Sequence, residues 1–121
     1  MQDDVEGNQG GDRARLEQQQ VELTAELAVH QRALRQVRQL RADRSDDDEH
    51  DPEGAPLSAE WSRIERAHRA VEERLLAVRA ALTSVADGRY GICERCGEPI
   101  PAGRLEVRPT ATRCVACAAV R

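Results

Sequence analysis

Aromatic side chains are almost missing from this chain of 121 residues: it has no Phe, one Trp (Trp61) and one Tyr (Tyr90). A compact globule of this size normally draws on more aromatic bulk for its core. The same scarcity removes the stacking platforms of a single-strand nucleic-acid binder. No apolar run approaches the ~18 residues of a membrane span. The opening segment MQDDVEGNQGGD is acidic and polar, unlike a signal peptide. The expected location is therefore the cytoplasm. Lysine is absent, so every basic side chain other than histidine is arginine, a mark of GC-rich codon usage rather than of function. The formal charge is −4, a poor starting point for sequence-independent DNA binding, which needs phosphate neutralisation. No nucleophile–base pair or phosphate-cradling loop is visible, and no enzyme activity is expected.

What the chain does have is charge, at 33% of residues, with abundant Ala, Arg, Glu and Leu. That composition suits long paired helices. Residues 1–11 are rich in Gly and acids, lack periodicity, and read as a disordered N-terminal tail, with Asp12 as a candidate cap. From Arg13 to Arg44 a heptad runs with Gln20, Leu27, Leu34 and Arg41 at a and Leu16, Leu23, His30 and Val37 at d. At 1.5 Å rise, roughly 32 residues make a helix of about 48 Å, which needs an equally long partner to cover its seam. From Leu57 to Asp87 the partner appears, with Trp61, His68, Leu75 and Leu82 at a and Leu57, Ile64, Val71, Val78 and Val85 at d. Facing a with d in antiparallel sense gives the pairs Leu16–Leu82, Gln20–Val78, Leu23–Leu75, Leu27–Val71, His30–His68, Leu34–Ile64, Val37–Trp61 and Arg41–Leu57. A slip of one heptad also satisfies the pattern, but it strands Leu57 outside the seam. Arg41 is expected to reach over Trp61 as a cation–π contact. His30 and His68 face one another; a metal pair or pH switch is one reading, and a polar layer that helps to fix register is the favoured one.

Between the helices lies SDDDEHDPEGAP, whose Pro52, Gly54 and Pro56 mark a turn. Seven of the eleven residues from Asp43 to Glu53 are acidic, so this end is either a solvated loop or a display of carboxylates. At the other end, Gly88 is the expected C-cap of the second helix.

The last third holds all four cysteines, as Cys93-x-x-Cys96 and Cys114-x-x-Cys117 with 17 residues between the pairs. Two residues between cysteines let one tight turn present both sulfurs to one ion, and two such turns complete a zinc tetrahedron. Gly97 can supply the positive φ that the turn needs. The expected cofactor is one structural Zn²⁺ on Cys93, Cys96, Cys114 and Cys117. Nothing points to export, which disfavours disulfides, and no βαβ pattern supports a thioredoxin-like pair. Four thiolates and one Zn²⁺ together add −2 to the formal charge. Around the cysteines, Leu105 and Val107 are expected to form a short strand, and Cys114 to Val120 to begin a helix. The fold class is thus mainly α: a long antiparallel coiled-coil hairpin over residues 12–87 with its acidic tip at 45–56, followed by a small four-cysteine zinc-finger module at 88–121.

The stretch GRYGICERCGEPIPAGRLEVRPTATRCVAC resembles the DksA/TraR family of four-cysteine zinc-finger proteins. The matching signature, YGxCxxCGxxIxxxRLExxPxxxxCxxC, covers about a quarter of the chain, and the acidic-tipped hairpin before it is similar as well. The resemblance implies a bacterial transcription regulator that binds RNA polymerase without DNA. In such proteins the coiled-coil tip enters the secondary channel toward the active-site Mg²⁺. Carried over residue by residue, Asp51-Pro52 matches the start of the family's Asp-x-x-Asp-x-Ala tip, while Gly54 and Pro56 stand in place of its second Asp and its Ala. Asp46, Asp47, Asp48, Glu49, Asp51 and Glu53 are the candidate tip carboxylates. The C-terminal helix with which some members contact guanosine tetraphosphate is largely missing after Cys117, so no response to that alarmone is expected. Two other functions fit parts of the pattern. Arg89, Arg95, Arg104, Arg108, Arg113 and Arg121 make the last segment locally basic, as in a zinc-ribbon nucleic-acid binder. The four thiolates would also serve a redox or zinc sensor.

Overall fold

The computed structural model describes the backbone of residues 2–45 and 54–120, and the side chains of 10–43 and 56–120. Two long helices dominate, α1 (Gln2–Ser45) and α2 (Gly54–Ala86), followed by two short ones, α3 (Ala102–Val107) and α4 (Val115–Ala118). Among the described residues there is no β-strand, only an isolated antiparallel bridge between Ile92 and Pro99. None of the described helices is long and apolar enough to cross a membrane.

The chain divides into two compact units, one made of Met1–Val21 with Leu75–Arg121 and the other of Glu22–Arg74. Within the Glu22–Arg74 unit, α1 and α2 run antiparallel, because His30 meets His68 while the later Arg38 meets the earlier Trp61. The His30–His68 contact is the one required by the preferred register. Leu23, Val37, Ile64 and Val71 are buried along the seam, and Leu27 and Leu34 are partly covered. Each such side chain removed from water contributes about 1.5–3 kcal/mol. The outer faces carry ion pairs at helical spacing, Arg63 with Glu60 and Arg69 with Glu65. Glu65 also accepts from the Trp61 indole N–H at 2.7 Å, which satisfies the one polar atom of that ring.

Within the other unit, the seam residues Leu16, Leu75, Val78 and Val85 are buried, so the same heptads pack there. α2 ends in a Schellman motif: Gly88, at φ +75°, donates to the Val85 carbonyl, and Arg89 donates to that of Ser84 at 2.8 Å.

Four expectations differ from what is observed. α1 already begins at Gln2, through the segment expected to be a disordered tail, and Asp12 lies inside the helix, accepting from Arg15 rather than capping. Once a helix is nucleated, each further residue adds a hydrogen bond without a new nucleation cost, and no proline interrupts residues 2–11. α2 begins at Gly54, so Pro56, expected in the turn, falls in its first turn, where a missing N–H breaks no helical bond. Arg38, not Arg41, lies over the Trp61 ring, 5.6 Å from its centroid. Arg38 follows Val37 at the edge of the seam and lies over the indole from there, while Arg41 stands almost one helical turn further along α1. Finally, the segment with Leu105 and Val107 is the helix α3, not a strand: Leu105 turns inward and Val107 is 82% exposed.

Candidate metal centre

The C-terminal module begins where the Schellman motif releases the chain. Gly91 is the next position with positive φ, at +82°, and there a Cβ would stand 3.4 Å from Leu105 Cδ1. The chain then forms the first cysteine turn. The Cys93 N–H donates to the Glu98 carbonyl at 2.8 Å, and the Gly97 N–H donates back to the Cys93 carbonyl at 2.9 Å. Gly97 closes this turn at φ +76°. The second pair is built differently: Cys114, in extended conformation, is the N-cap residue of α4, and Cys117 lies one turn inside it. Glu94 ties the two turns together, its N–H donating to the Thr112 carbonyl at 2.8 Å.

The result is that the Sγ atoms of Cys93, Cys96, Cys114 and Cys117 all lie within 4.8 Å of one another, with no disulfide between them. Cys96 Sγ and Cys114 Sγ are 3.9 Å apart. A tetrahedron with metal–sulfur bonds of about 2.3 Å has edges of about 3.8 Å, so the four atoms fit one Zn²⁺. Cys93 and Cys117 are buried, while Cys96 is exposed. The thiols respond to this crowding in opposite ways. Backbone N–H groups of Cys96 and Cys114, with that of Arg95, hold the Cys93 thiol down to about 6 against the effect of burial. At Cys96 the Glu98 backbone N–H also lowers the pKa, but the sulfur of Cys93, burial, and the sulfurs of Cys117 and Cys114 outweigh it and push it up to about 11. Four clustered sulfurs do not all give up their protons unless a cation stands among them, which is the chemistry of a tetrathiolate zinc site. With four thiolates on the ion, no coordination position is left for a substrate, so the centre is structural.

Around the cysteines is a small core. Ile100 and Leu105 are buried with Cys93 and Cys117, and Tyr90, Ala111 and Cys114 pack against them. Tyr90 donates its hydroxyl to the Pro109 carbonyl at 2.7 Å. Three arginines complete the module. Arg95 Nη1 donates to Cys117 Sγ at 3.7 Å, Arg104 Nε to the Arg113 carbonyl at 2.9 Å, and Arg113 Nε to the Glu94 carboxylate at 2.9 Å. These supporting contacts went unread in the sequence, where Arg95 counted only toward a basic surface; its place inside the first Cys-x-x-Cys is the one signal that leads to its sulfur contact.

The acidic candidates Asp46, Asp47, Asp48, Glu49, Asp51 and Glu53 lie outside the described residues.

Comparison with known proteins follows the same outline. Residues 88–121 match the prokaryotic dksA/traR C4-type zinc finger. A Caulobacter vibrioides protein named RNA polymerase-binding transcription factor DksA is 63% identical over 35 residues, 29% of this chain and 25% of that protein. The Escherichia coli K12 protein of the same name is 37% identical over 68 residues, 55% of this chain and 45% of that protein. The match thus spans between a quarter and just under half of these relatives. The solved structure of transcription factor DksA2 from Pseudomonas aeruginosa superposes with a TM-score of 0.80 at 28% identity, over 93% of this chain and 81% of that one.

Proposed function

Because this chain belongs to the DksA/TraR family of four-cysteine zinc-finger proteins, we propose that it binds RNA polymerase directly and regulates transcription from within the secondary channel. The observation that carries this reading is that the likeness to DksA2 extends over 93% of the chain, so it includes the paired helices as well as the finger. Cys93, Cys96, Cys114 and Cys117 hold one Zn²⁺, which staples the irregular loops between them into a fixed base. The acidic segment at residues 46–53 is the acting part. Asp51 leads, because it fits the family's Asp-Pro position, with Asp46, Asp47, Asp48, Glu49 and Glu53 as its neighbours in sequence. A carboxylate near a catalytic Mg²⁺ alters the local electrostatics without covalent chemistry. Gly54 and Pro56 depart from the family tip, so the sign of the effect on initiation is a separate matter from binding.

The nucleic-acid reading has less support. Four of the arginines behind it make contacts within the chain: Arg89 with Asp87, Arg95 with Cys117, Arg104 with the Arg113 carbonyl and Arg113 with Glu94. Co-purification of the zinc-loaded chain with core polymerase, in the absence of DNA, separates the two readings. Retention on polymerase supports the proposal; binding to nucleic acid alone, with none to polymerase, replaces it.

A further inference from the structure

The seam of the Glu22–Arg74 unit contains a polar layer that the proposed function does not use. His30 on α1 and His68 on α2 meet edge to face, with ring centroids 6.1 Å apart and an interplanar angle of 68°. The heptad layers on either side are aliphatic, Leu27 with Val71 and Leu34 with Ile64. Both Nδ1 atoms are buried and have no hydrogen-bond partner, although leaving a buried nitrogen without a partner is unfavourable. The other nitrogen of His68 is occupied: Nε2 stands 2.8 Å from Glu72 Oε1. In the neutral ring, a proton on Nε2 directed to this carboxylate leaves Nδ1 as a bare lone pair facing the seam. A carboxylate on the outer nitrogen and a free lone pair on the inner one is the arrangement of histidines that ligate metals.

We propose that His30 and His68 form a second metal site, distinct from the cysteine cluster, which takes a first-row divalent ion such as Zn²⁺ between the two Nδ1 atoms. The size of the gap is suitable. With metal–nitrogen bonds of about 2.0–2.1 Å, two imidazoles on one ion have centroids about 5 Å apart at a tetrahedral angle, and somewhat over 6 Å as the angle opens toward linear. The observed pair lies inside that span. Imidazole nitrogen selects Zn, Cu or Ni over Mg or Ca. His68 retains 15% side-chain exposure, so the pair lies near the edge of the seam rather than deep within it. An ion here would clip α1 to α2, and the stability of that unit would rise with ion concentration. Glu72 is a positioning residue: it fixes the tautomer of His68.

The test is calorimetric titration of Zn²⁺ into full-length protein whose cysteine site is already loaded, with thermal melts followed by circular dichroism. A second equivalent is expected, together with a melting midpoint that rises by several degrees at saturating Zn²⁺. His30→Leu and His68→Leu, which keep the seam filled, should each abolish both effects without lowering helicity. Glu72→Gln should weaken the second equivalent by about tenfold or more. The absence of a second equivalent overturns the proposal. So does one that persists in both leucine variants, since it would belong elsewhere, for instance to His50 and its acidic neighbours.

Discussion

Arg95 stands inside the first cysteine pair, yet its guanidinium reaches Cys117 of the second, with Nη1 3.7 Å from Sγ. A tetrathiolate zinc centre carries a charge of −2, and a cation on one sulfur offsets part of it. Contacts of this kind typically change metal affinity by about 10–100-fold when they are removed. Arg95→Ala should therefore weaken zinc retention by about tenfold in competition with a chromogenic chelator, with the helical signal unchanged. Unaltered retention would mean that the contact is incidental.

Tyr90 is the only tyrosine, so its titration can be read directly from ultraviolet absorbance. Burial first, and then the charge of Asp12, raise its pKa to about 12, against a smaller opposing effect of Arg15. The folded form thus keeps its proton between about 10 and 12, where the unfolded chain has lost it. The tyrosine's contribution to stability is complete below about pH 10 and is lost as pH rises toward 12. Absorbance should show a midpoint near 12, and one near 10 would show that the ring is open to solvent. Tyr90→Phe removes the bond to the buried Pro109 and should cost about 1–3 kcal/mol, measured on the zinc-loaded protein.

Gly88 and Gly91 should not be equivalent under substitution. Both have positive φ, but only at Gly91 does a Cβ meet another group, Leu105 Cδ1 at 3.4 Å. Gly88→Ala should cost about 1–2 kcal/mol from backbone conformation alone. Gly91→Ala should cost more, since it adds pressure on the core that holds Cys93. Equal losses in denaturant melts would contradict the close approach.

The pairing of α1 with α2 can be read by crosslinking in the Glu22–Arg74 unit. Cysteines at Leu27 and Val71 should join readily in the zinc-loaded protein, whereas Leu34 with Val71 should not; the reverse would select the register slipped by one heptad. Arg38→Ala should also change Trp61 fluorescence, because this arginine lies over the ring, while Arg41→Ala should leave it unchanged.

That last contrast shows where sequence reasoning stops. The seam was legible because burial imposes a period of seven on Leu, Ile and Val, and the His30–His68 contact follows from the same period. The cysteine cluster was legible because tetrahedral zinc restricts ligand spacing. The choice between Arg38 and Arg41 was not, since both are long side chains near one ring and only the backbone direction of each decides. Nor was α3: Leu105 and Val107 alternate like a strand, but no neighbouring strand exists for them to pair with among the described residues. The helical course of residues 2–11 was hidden by Gly7, Gly10 and Gly11, whose low intrinsic propensity does not prevent extension of a helix already formed.

The central claim is tested most directly by assaying the zinc-loaded chain and its Asp48→Asn, Glu49→Gln, Asp51→Asn triple variant side by side on core RNA polymerase without DNA, then in transcription in vitro. Both proteins should be retained on polymerase, and only the parent should alter transcript yield. Failure of the parent to bind polymerase would contradict the account outright; equal regulation by the triple variant would show that residues 46–53 are a solvated turn and that the acting surface lies elsewhere.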